Sequence, residues 1–367
     1  MPAQMRVHTE AEPLVARRLT NQRIGLGRWQ HAAGVVEWLG AVQAQEYQPA
    51  KWALGLRMKD ARDADVERAI AAGEILRTHV LRPTWHFVAA ADLGWMQRLT
   101  GPRVHRTLAV YLRKLELETA TLTRATAVFE RALRDRQYLT RAELAARLRR
   151  ERIVLSGIRL ALVAMHAELE GVICSGPAAG GKFTYALAAE RAIEPRNLSG
   201  DEALAELTRR FFRSHGPATL RDYVWWSGLL TADAKRGVEI IRAKRHEVDG
   251  LAYWTVGSAT ARRSRHTVHL LPIYDEYLVP YRDRALVPHG PPKVAARQGF
   301  VTFQHTLVID GGVARTWRVS RNGRGAAVAV AVTPLRRLTS RERDGVAAAA
   351  VRYERFLGAP VTLTIGR

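Results

Sequence analysis

Cysteine is almost absent: Cys174 is the single one in 367 residues. That excludes an internal disulfide framework, a cysteine-ligated iron–sulfur cluster and a cysteine-rich zinc site. The twelve histidines are scattered. Their closest notable spacing, His266-Thr-Val-His269, places one ring on each face of a strand and suits a metal poorly, so no metal and no cofactor is expected. No apolar run approaches the roughly 18 residues of a membrane span. The first thirteen residues lack the apolar core of a signal peptide, and a cytoplasmic location is expected. Familiar catalytic signatures are missing as well: no Gly-x-Ser-x-Gly elbow, no Walker loop and no His-Glu-x-x-His zinc motif. Gly25-Leu-Gly27 has no strand before it and does not make a dinucleotide fingerprint.

Lysine is scarce, at seven positions, yet 57 basic residues stand against 35 acidic ones and leave a formal net charge of +22. A GC-rich coding sequence favours arginine over lysine, but it does not create an excess of that size. Such a chain attracts polyanions, and nucleic acid is the expected partner, bound in a salt-dependent way. Hydrophobic residues at 47% and charged residues at 25% are ordinary for a globular protein. The length predicts two to four modules.

One pattern recurs along the chain: a capped helix, a short turn, a second helix and a Gly-containing hairpin. Thr140-Arg-Ala-Glu143 reads as a capping box opening a helix to Arg150. Ser156 caps a second helix that Gly171 ends, and strands over 172–174 and 183–187 flank a Gly-rich tip reaching Lys182. In the next stretch Ser199, Thr219 and Thr231 open three helices, and Asp249-Gly250 is a hairpin turn. The third of these helices, read to Arg245, carries Lys235, Arg236, Arg242, Lys244 and Arg245, either as phosphate contacts or as a solvated face. The first stretch, less regular, predicts helices over 13–20, 30–42 and 63–72 and a strand pair over 77–81 and 84–88. Beyond His266 the period becomes two, with hairpin turns at Asp310-Gly311-Gly312 and Asn322-Gly323, then a capped helix over 339–356 and a last strand over 361–365. The expected fold is α+β: three tandem winged-helix modules plus a small antiparallel β-barrel. The expected segments are 10–118, with connecting helices at its end, 119–196, 197–258 and 259–367.

The feature that stands out is Gln43-Ala44-Gln45. Residues two apart point the same way on an extended segment, and Pro49 biases the chain out of helix. Two neutral amides then converge on one small target such as a water. The plain alternative is a helix end whose amides bond the backbone. A second feature is the tip Arg318-Val-Ser-Arg321-Asn322-Gly-Arg324, a basic hairpin able to enter a DNA groove, or an exposed turn kept charged for solubility. Tyr274-Asp275-Glu276-Tyr277 sets two acids side by side, as acid and base or as partners of arginine. Trp85 and His86 either support a site or pack the base of a wing.

These residues resemble the AlkZ/YcaQ-type winged-helix DNA glycosylases. The resemblance rests on 42–46 with Pro49 and Trp52, on 75–87, on 271–284 and on 310–318, and it covers nearly the whole chain. It implies three winged helices and a β-barrel around a concave DNA channel. It implies Gln43 and Gln45 as catalytic residues, and a glutamine rather than an acid at 45 fits the AlkZ branch. That branch implies a monofunctional glycosylase without lyase activity, hydrolysing N7-alkylguanine and unhooking interstrand crosslinks of azinomycin-like natural products, as self-resistance and base excision repair. The partner is then double-stranded DNA, no membrane is involved, and a monomer is expected. Arg318, Arg321, Asn322, Arg324, Lys182, Lys235 and Arg236 are the expected DNA-binding residues. The competing reading is a non-enzymatic winged-helix transcriptional regulator, since fold alone does not fix function.

Overall fold

The helix–helix–hairpin repeat occurs three times in the computed structural model, which describes residues 11–27, 29–192, 194–257, 267–282, 304–321 and 328–366. After α1 (Ala11–Gln22), the first repeat runs α2 (Ala32–Leu39), β1 (Val42–Gln43), α3 (Tyr47–Gly55), α4 (Asp63–Ala72), β2 (Ile75–His79) and β3 (Trp85–Ala89). The long helix α5 (Leu93–Lys114) connects it to the second repeat: α6 (Thr119–Leu133), β4 (Leu139–Thr140), α7 (Arg141–Arg150), α8 (Gly157–Leu169), β5 (Ile173–Ser175) and β6 (Thr184–Leu187). Both small sheets place the first strand beside the last, in the orders β1-β3-β2 and β4-β6-β5. A short helix α9 (Ala188–Arg191) leads to the third repeat: α10 (Gly200–Ser214), α11 (Leu220–Ser227), α12 (Thr231–Ile240), β7 (Lys244–Val248) and β8 (Leu251–Thr255). There the first strand shrinks to a single bridge between Ala218 and Trp254. Helix, strand, two helices and a two-stranded wing is the winged-helix order, so the described residues hold three winged helices.

Local chemistry sets the element ends. Thr140 and Thr219 accept from the main-chain N–H of Glu143 and Asp222, whose carboxylates return the bond, as full capping boxes. Ser156 and Ser199 stand at N-caps without a side-chain bond. Thr231 lies one residue inside its helix, and the Asp233 carboxylate accepts the Leu230 N–H instead. Asp249 and Gly250, with φ of 51° and 73°, make the mirror-image turn that suits the twist of β7 and β8. Two sequence readings shift. Helix α2 stops at Leu39, closed by Gly40, so Val42 and Gln43 are extended. Pro49 starts a helix instead of preventing one: it sits in the first turn of α3, where an N–H has no intrahelical partner.

The C-terminal region comprises β9 (Val268–Leu271), β10 (Thr306–Ile309), β11 (Gly312–Arg321), β12 (Val328–Pro334), α13 (Ser340–Leu357) and β13 (Val361–Ile365). Its five strands, in the order β13-β12-β11-β10-β9, curl into a half-barrel. Four run antiparallel, whereas β13 joins β12 in parallel after the crossover through α13. The barrel expected from the sequence is therefore open and mixed among the described residues. Three apolar clusters hold the chain together, and they cross the four segments drawn from the sequence. The first joins α2, α3 and α4 to the half-barrel and α13. The second joins β2, β3 and α5 to the third winged helix, and the last is centred on the second winged helix. The docking of α3 on α13 is close enough that a Cβ on Gly55 would lie 2.6 Å from the Phe356 ring.

Candidate active site

In the second and third winged helices the first strand runs straight into a threonine that caps the next helix. In the first winged helix that junction is longer: β1 ends at Gln43, Ala44 and Gln45 follow, and Glu46 is the N-cap of α3. Neither glutamine closes a helix, although the Gln45 amide oxygen does accept a main-chain N–H, that of Trp85.

The segment is fixed from four directions. Gln43 pairs with His86 across β1 and β3, and the Ala44 N–H donates to the Trp85 carbonyl at 2.7 Å. The Gln43 N–H, on the other side of the strand, donates to Glu276 Oε1 at 2.8 Å. Arg77 of β2 donates from Nε to the Ala44 carbonyl (2.9 Å) and from Nη2 to the Gln45 carbonyl (3.2 Å). Arg82 donates to Gln43 Oε1 at 2.9 Å, and the Trp85 N–H reaches Gln45 Oε1 at 3.3 Å. Guanidinium and amide N–H groups only donate, so both side-chain oxygens are identified as acceptors, and each keeps a further lone pair. Gln43 is buried and Gln45 is exposed.

The two adjacent acids Asp275 and Glu276 are both engaged. Glu276 is fully buried; besides Gln43 it accepts from Trp226 Nε1 at 3.1 Å and meets His215 Nε2 at 3.2 Å. Burial holds the His215 ring below the ordinary histidine pKa, against the opposing pull of Glu276. Asp275 takes a two-pronged bond from Arg57 at 2.9 and 3.0 Å, and Arg57 also holds Gln22. These two acids therefore tie the half-barrel to the first winged helix and are not laid out as an acid–base pair. Arg282 is not their partner either: its main chain binds Asp222 and its guanidinium lies over the Trp225 ring.

His86 is fully buried, its Nδ1 bonded to the Thr84 carbonyl at 2.9 Å. Burial first, and then Arg82, hold its pKa well below 6.5, so the ring is neutral with Nδ1 as the donor. Its Nε2 is left without a partner, as are Thr84 Oγ1 and Arg82 Nε. The Trp85 indole is occupied, with the Arg77 guanidinium 4.1 Å from its ring centre, His79 at 4.9 Å and Phe183 at 6.1 Å. It packs at the base of the wing and is half-buried.

Of the expected DNA-binding residues, Lys182 is exposed at the tip of the second wing and Lys235 is exposed on α12. Arg236 is bound to Asp201 at 2.6 and 2.8 Å, a clamp between α12 and α10. Helix α12 ends at Ile240, so Lys244 and Arg245 belong to β7. Arg318 is exposed on β11; Asn322, Arg324 and the side chain of Arg321 lie outside the described residues. Two positioning residues escaped the sequence reading. In the sequence Arg77 reads only as part of a strand, and Glu276 only as one of two adjacent acids. Their signal lies in the segments 75–87 and 271–284 that carried the resemblance.

Three winged helices joined to a curled sheet define a tandem winged-helix protein, with an amide pair at the first strand–helix junction. Residues 36–356 match the family model described as DNA glycosylase AlkZ-like, and the chain belongs to that family. It is 29% identical over 212 residues to the interstrand DNA cross-link repair glycosylase of Streptomyces sahachiroi, a match covering 54% of this chain and 55% of that protein. The chain thus spans about half the length of this curated relative. The solved structure of Streptomyces sahachiroi DNA glycosylase AlkZ is similar in fold, with a TM-score of 0.77 at 22% identity over 96% of this chain and 99% of that one. None of these matches favours a transcriptional regulator. Among the described residues, no helix is long and apolar enough to cross a membrane.

Proposed function

We propose that this chain is a monofunctional DNA glycosylase. It hydrolyses the N-glycosidic bond of N7-alkylated guanine and unhooks interstrand crosslinks of the azinomycin type, in self-resistance and base excision repair. The observation that carries this reading is the Gln43-Ala44-Gln45 segment itself: extended, bonded through its main chain on both sides, and ending in two amide oxygens whose orientation other donors set.

Guanine alkylated at N7 carries a positive charge and is already a good leaving group. The C1′–N9 bond breaks with its electron pair going to N9, and the neutral alkylguanine departs. Water then attacks C1′ of the oxocarbenium ion and releases a proton to solvent, leaving an abasic sugar. The enzyme needs a held water and partial negative charge near C1′ more than a strong base. Gln43 and Gln45 position that water. His86 backs Gln43 with an uncharged ring, and Trp85 orients Gln45 through its main chain. Lys51 is engaged by Asp63 and Glu67 and is not a free amine for Schiff-base chemistry.

In this reading the protein acts as a monomer on double-stranded DNA. Lys182, Lys235 and Arg318 meet phosphates, and Arg321, Asn322 and Arg324 of the β11–β12 hairpin probe the groove. For Arg236 to contact phosphate it must first leave Asp201. The test is incubation with duplex DNA carrying N7-methylguanine or an azinomycin-type crosslink, followed by alkaline cleavage at abasic sites. Gln43→Ala and Gln45→Ala are each expected to lower the rate by roughly 100-fold, the scale of losing one oriented polar group. Wild-type rates in both variants would sink the mechanism.

A further inference from the structure

Away from the glutamines, where α5 passes the end of α8, a second group of side chains meets. His105 of α5, His166 of α8 and Glu170, the residue that caps α8, place one donor atom each within 4.8 Å of one another. His105 Nε2 and Glu170 Oε1 are already 2.9 Å apart, and the two imidazole rings meet edge to face with centres 5.2 Å apart. His166 Nδ1 is buried without a hydrogen-bond partner.

We infer that these three residues form a binding site for a divalent transition metal, with zinc as the ion that fits best. Two imidazoles and one carboxylate are a three-ligand zinc set that leaves a fourth position open, and imidazole donors disfavour magnesium and calcium. Donors about 2.1 Å from a tetrahedral ion stand roughly 3.4 Å apart. The His105–Glu170 pair is inside that separation, and the His166 donor lies within 4.8 Å of both. A cavity of about 610 Å³ adjoins the group, with His105, Glu170, Gly101, Leu169 and Gln97 in its lining. Gln97 is buried, and its Oε1 also lacks a partner. The ion would join the connecting helix α5 to the last helix of the second winged helix. Spacing in the sequence gave no sign of it, because the two histidines come from different modules and only packing of α5 on α8 brings them together.

The experiment uses the full chain stripped with a chelator. Zn²⁺ binding is measured by calorimetry, and Co²⁺ by its visible absorption, which reports a nitrogen–oxygen ligand field. One equivalent is expected to bind, with a rise in melting temperature. His105→Gln, His166→Gln and Glu170→Gln are each expected to weaken binding at least about tenfold. Glu170 is half exposed, so its variant tests the site even where a histidine variant folds poorly. No binding by the stripped wild type would overturn the assignment. So would unchanged affinity in the His105→Gln/His166→Gln double variant, which would assign the ion to histidines elsewhere. Glycosylase activity is not among the readouts, so this outcome and the fate of the proposed reaction are independent.

Discussion

Glu276→Gln is the sharpest single perturbation of the way Gln43 is held. The wild-type carboxylate accepts the Gln43 N–H on one oxygen and the Trp226 N–H on the other, with His215 beside the second. A glutamine of the same shape has one oxygen and one NH₂. In one orientation the NH₂ opposes the Gln43 N–H; in the other it opposes Trp226. His215 can exchange its tautomer, since Ser214 Oγ on its far side donates or accepts, but Trp226 only donates. One buried donor is therefore left unpaired in either case, at about 1–3 kcal/mol. The charge lost also removes compensation from Arg82, whose guanidinium burial already disfavours. Urea unfolding should show a loss of that size. Base release should slow by about 10–100-fold, the scale of misplacing a reacting group by about 1 Å. The shape of the pH–rate profile should stay as in wild type, because Glu276 holds the strand and moves no proton. Wild-type stability together with a wild-type rate would refute the reasoning. A slow variant that has lost a limb of the pH–rate profile would show Glu276 to be a catalytic base.

Three further outcomes follow from the same geometry. Arg77→Lys replaces two fixed donors, to the Ala44 and Gln45 carbonyls, by one ammonium; kcat for base release should fall about tenfold with little change in DNA affinity, as measured in single-turnover assays. Gly228→Ala should destabilise the fold by about 2–3 kcal/mol in urea melts, because Gly228 has φ of 70° and a Cβ there would lie 2.1 Å from the Leu81 carbonyl oxygen, at the turn that presents Arg82. Stability should also fall with acid. His269 is buried and burial lowers its pKa from 6.5 to about 4; it is neutral when folded and protonates first when unfolded, so its contribution is complete above pH 6.5 and lost as pH drops toward 4. That loss is up to about 3 kcal/mol, and His269→Gln should flatten the dependence of unfolding free energy on pH over this window.

The winged helices were legible wherever a local rule suffices. Thr140 with Glu143 and Thr339 with Glu342 are capping boxes in sequence and in structure, and Asp249-Gly250 turns where its residue types demand. Errors arose where one residue type serves two rules. Pro49 breaks a helix interior but suits a first turn, so α3 went unseen. Thr231 looks like a cap, yet the capping bond belongs to Asp233. The basic run from Lys235 to Arg245 gave no hint that the helix ends at Ile240 and a strand begins at Lys244. For the site, spacing singles out Gln43 and Gln45, but not which amide is buried or which donors aim it. Those depend on contacts between distant segments, the kind of partner a single sequence does not display. Asp275 and Glu276 show the limit well: adjacent, identical in charge, one bound to Arg57 and the other to Gln43.

The bond between Gln43 and Glu276 joins residues 233 apart in the chain. A ribosome adding about 5–20 residues per second needs on the order of tens of seconds to cover that interval. During that time the first winged helix has been made but the carboxylate that braces its amide pair has not. A nascent or prematurely ended chain thus carries the two glutamines with Arg77, Arg82 and Trp85 beside them but without the carboxylate that holds the Gln43 main chain. For the glycosylase proposed above, this arrangement delays competence until Glu276 has been made.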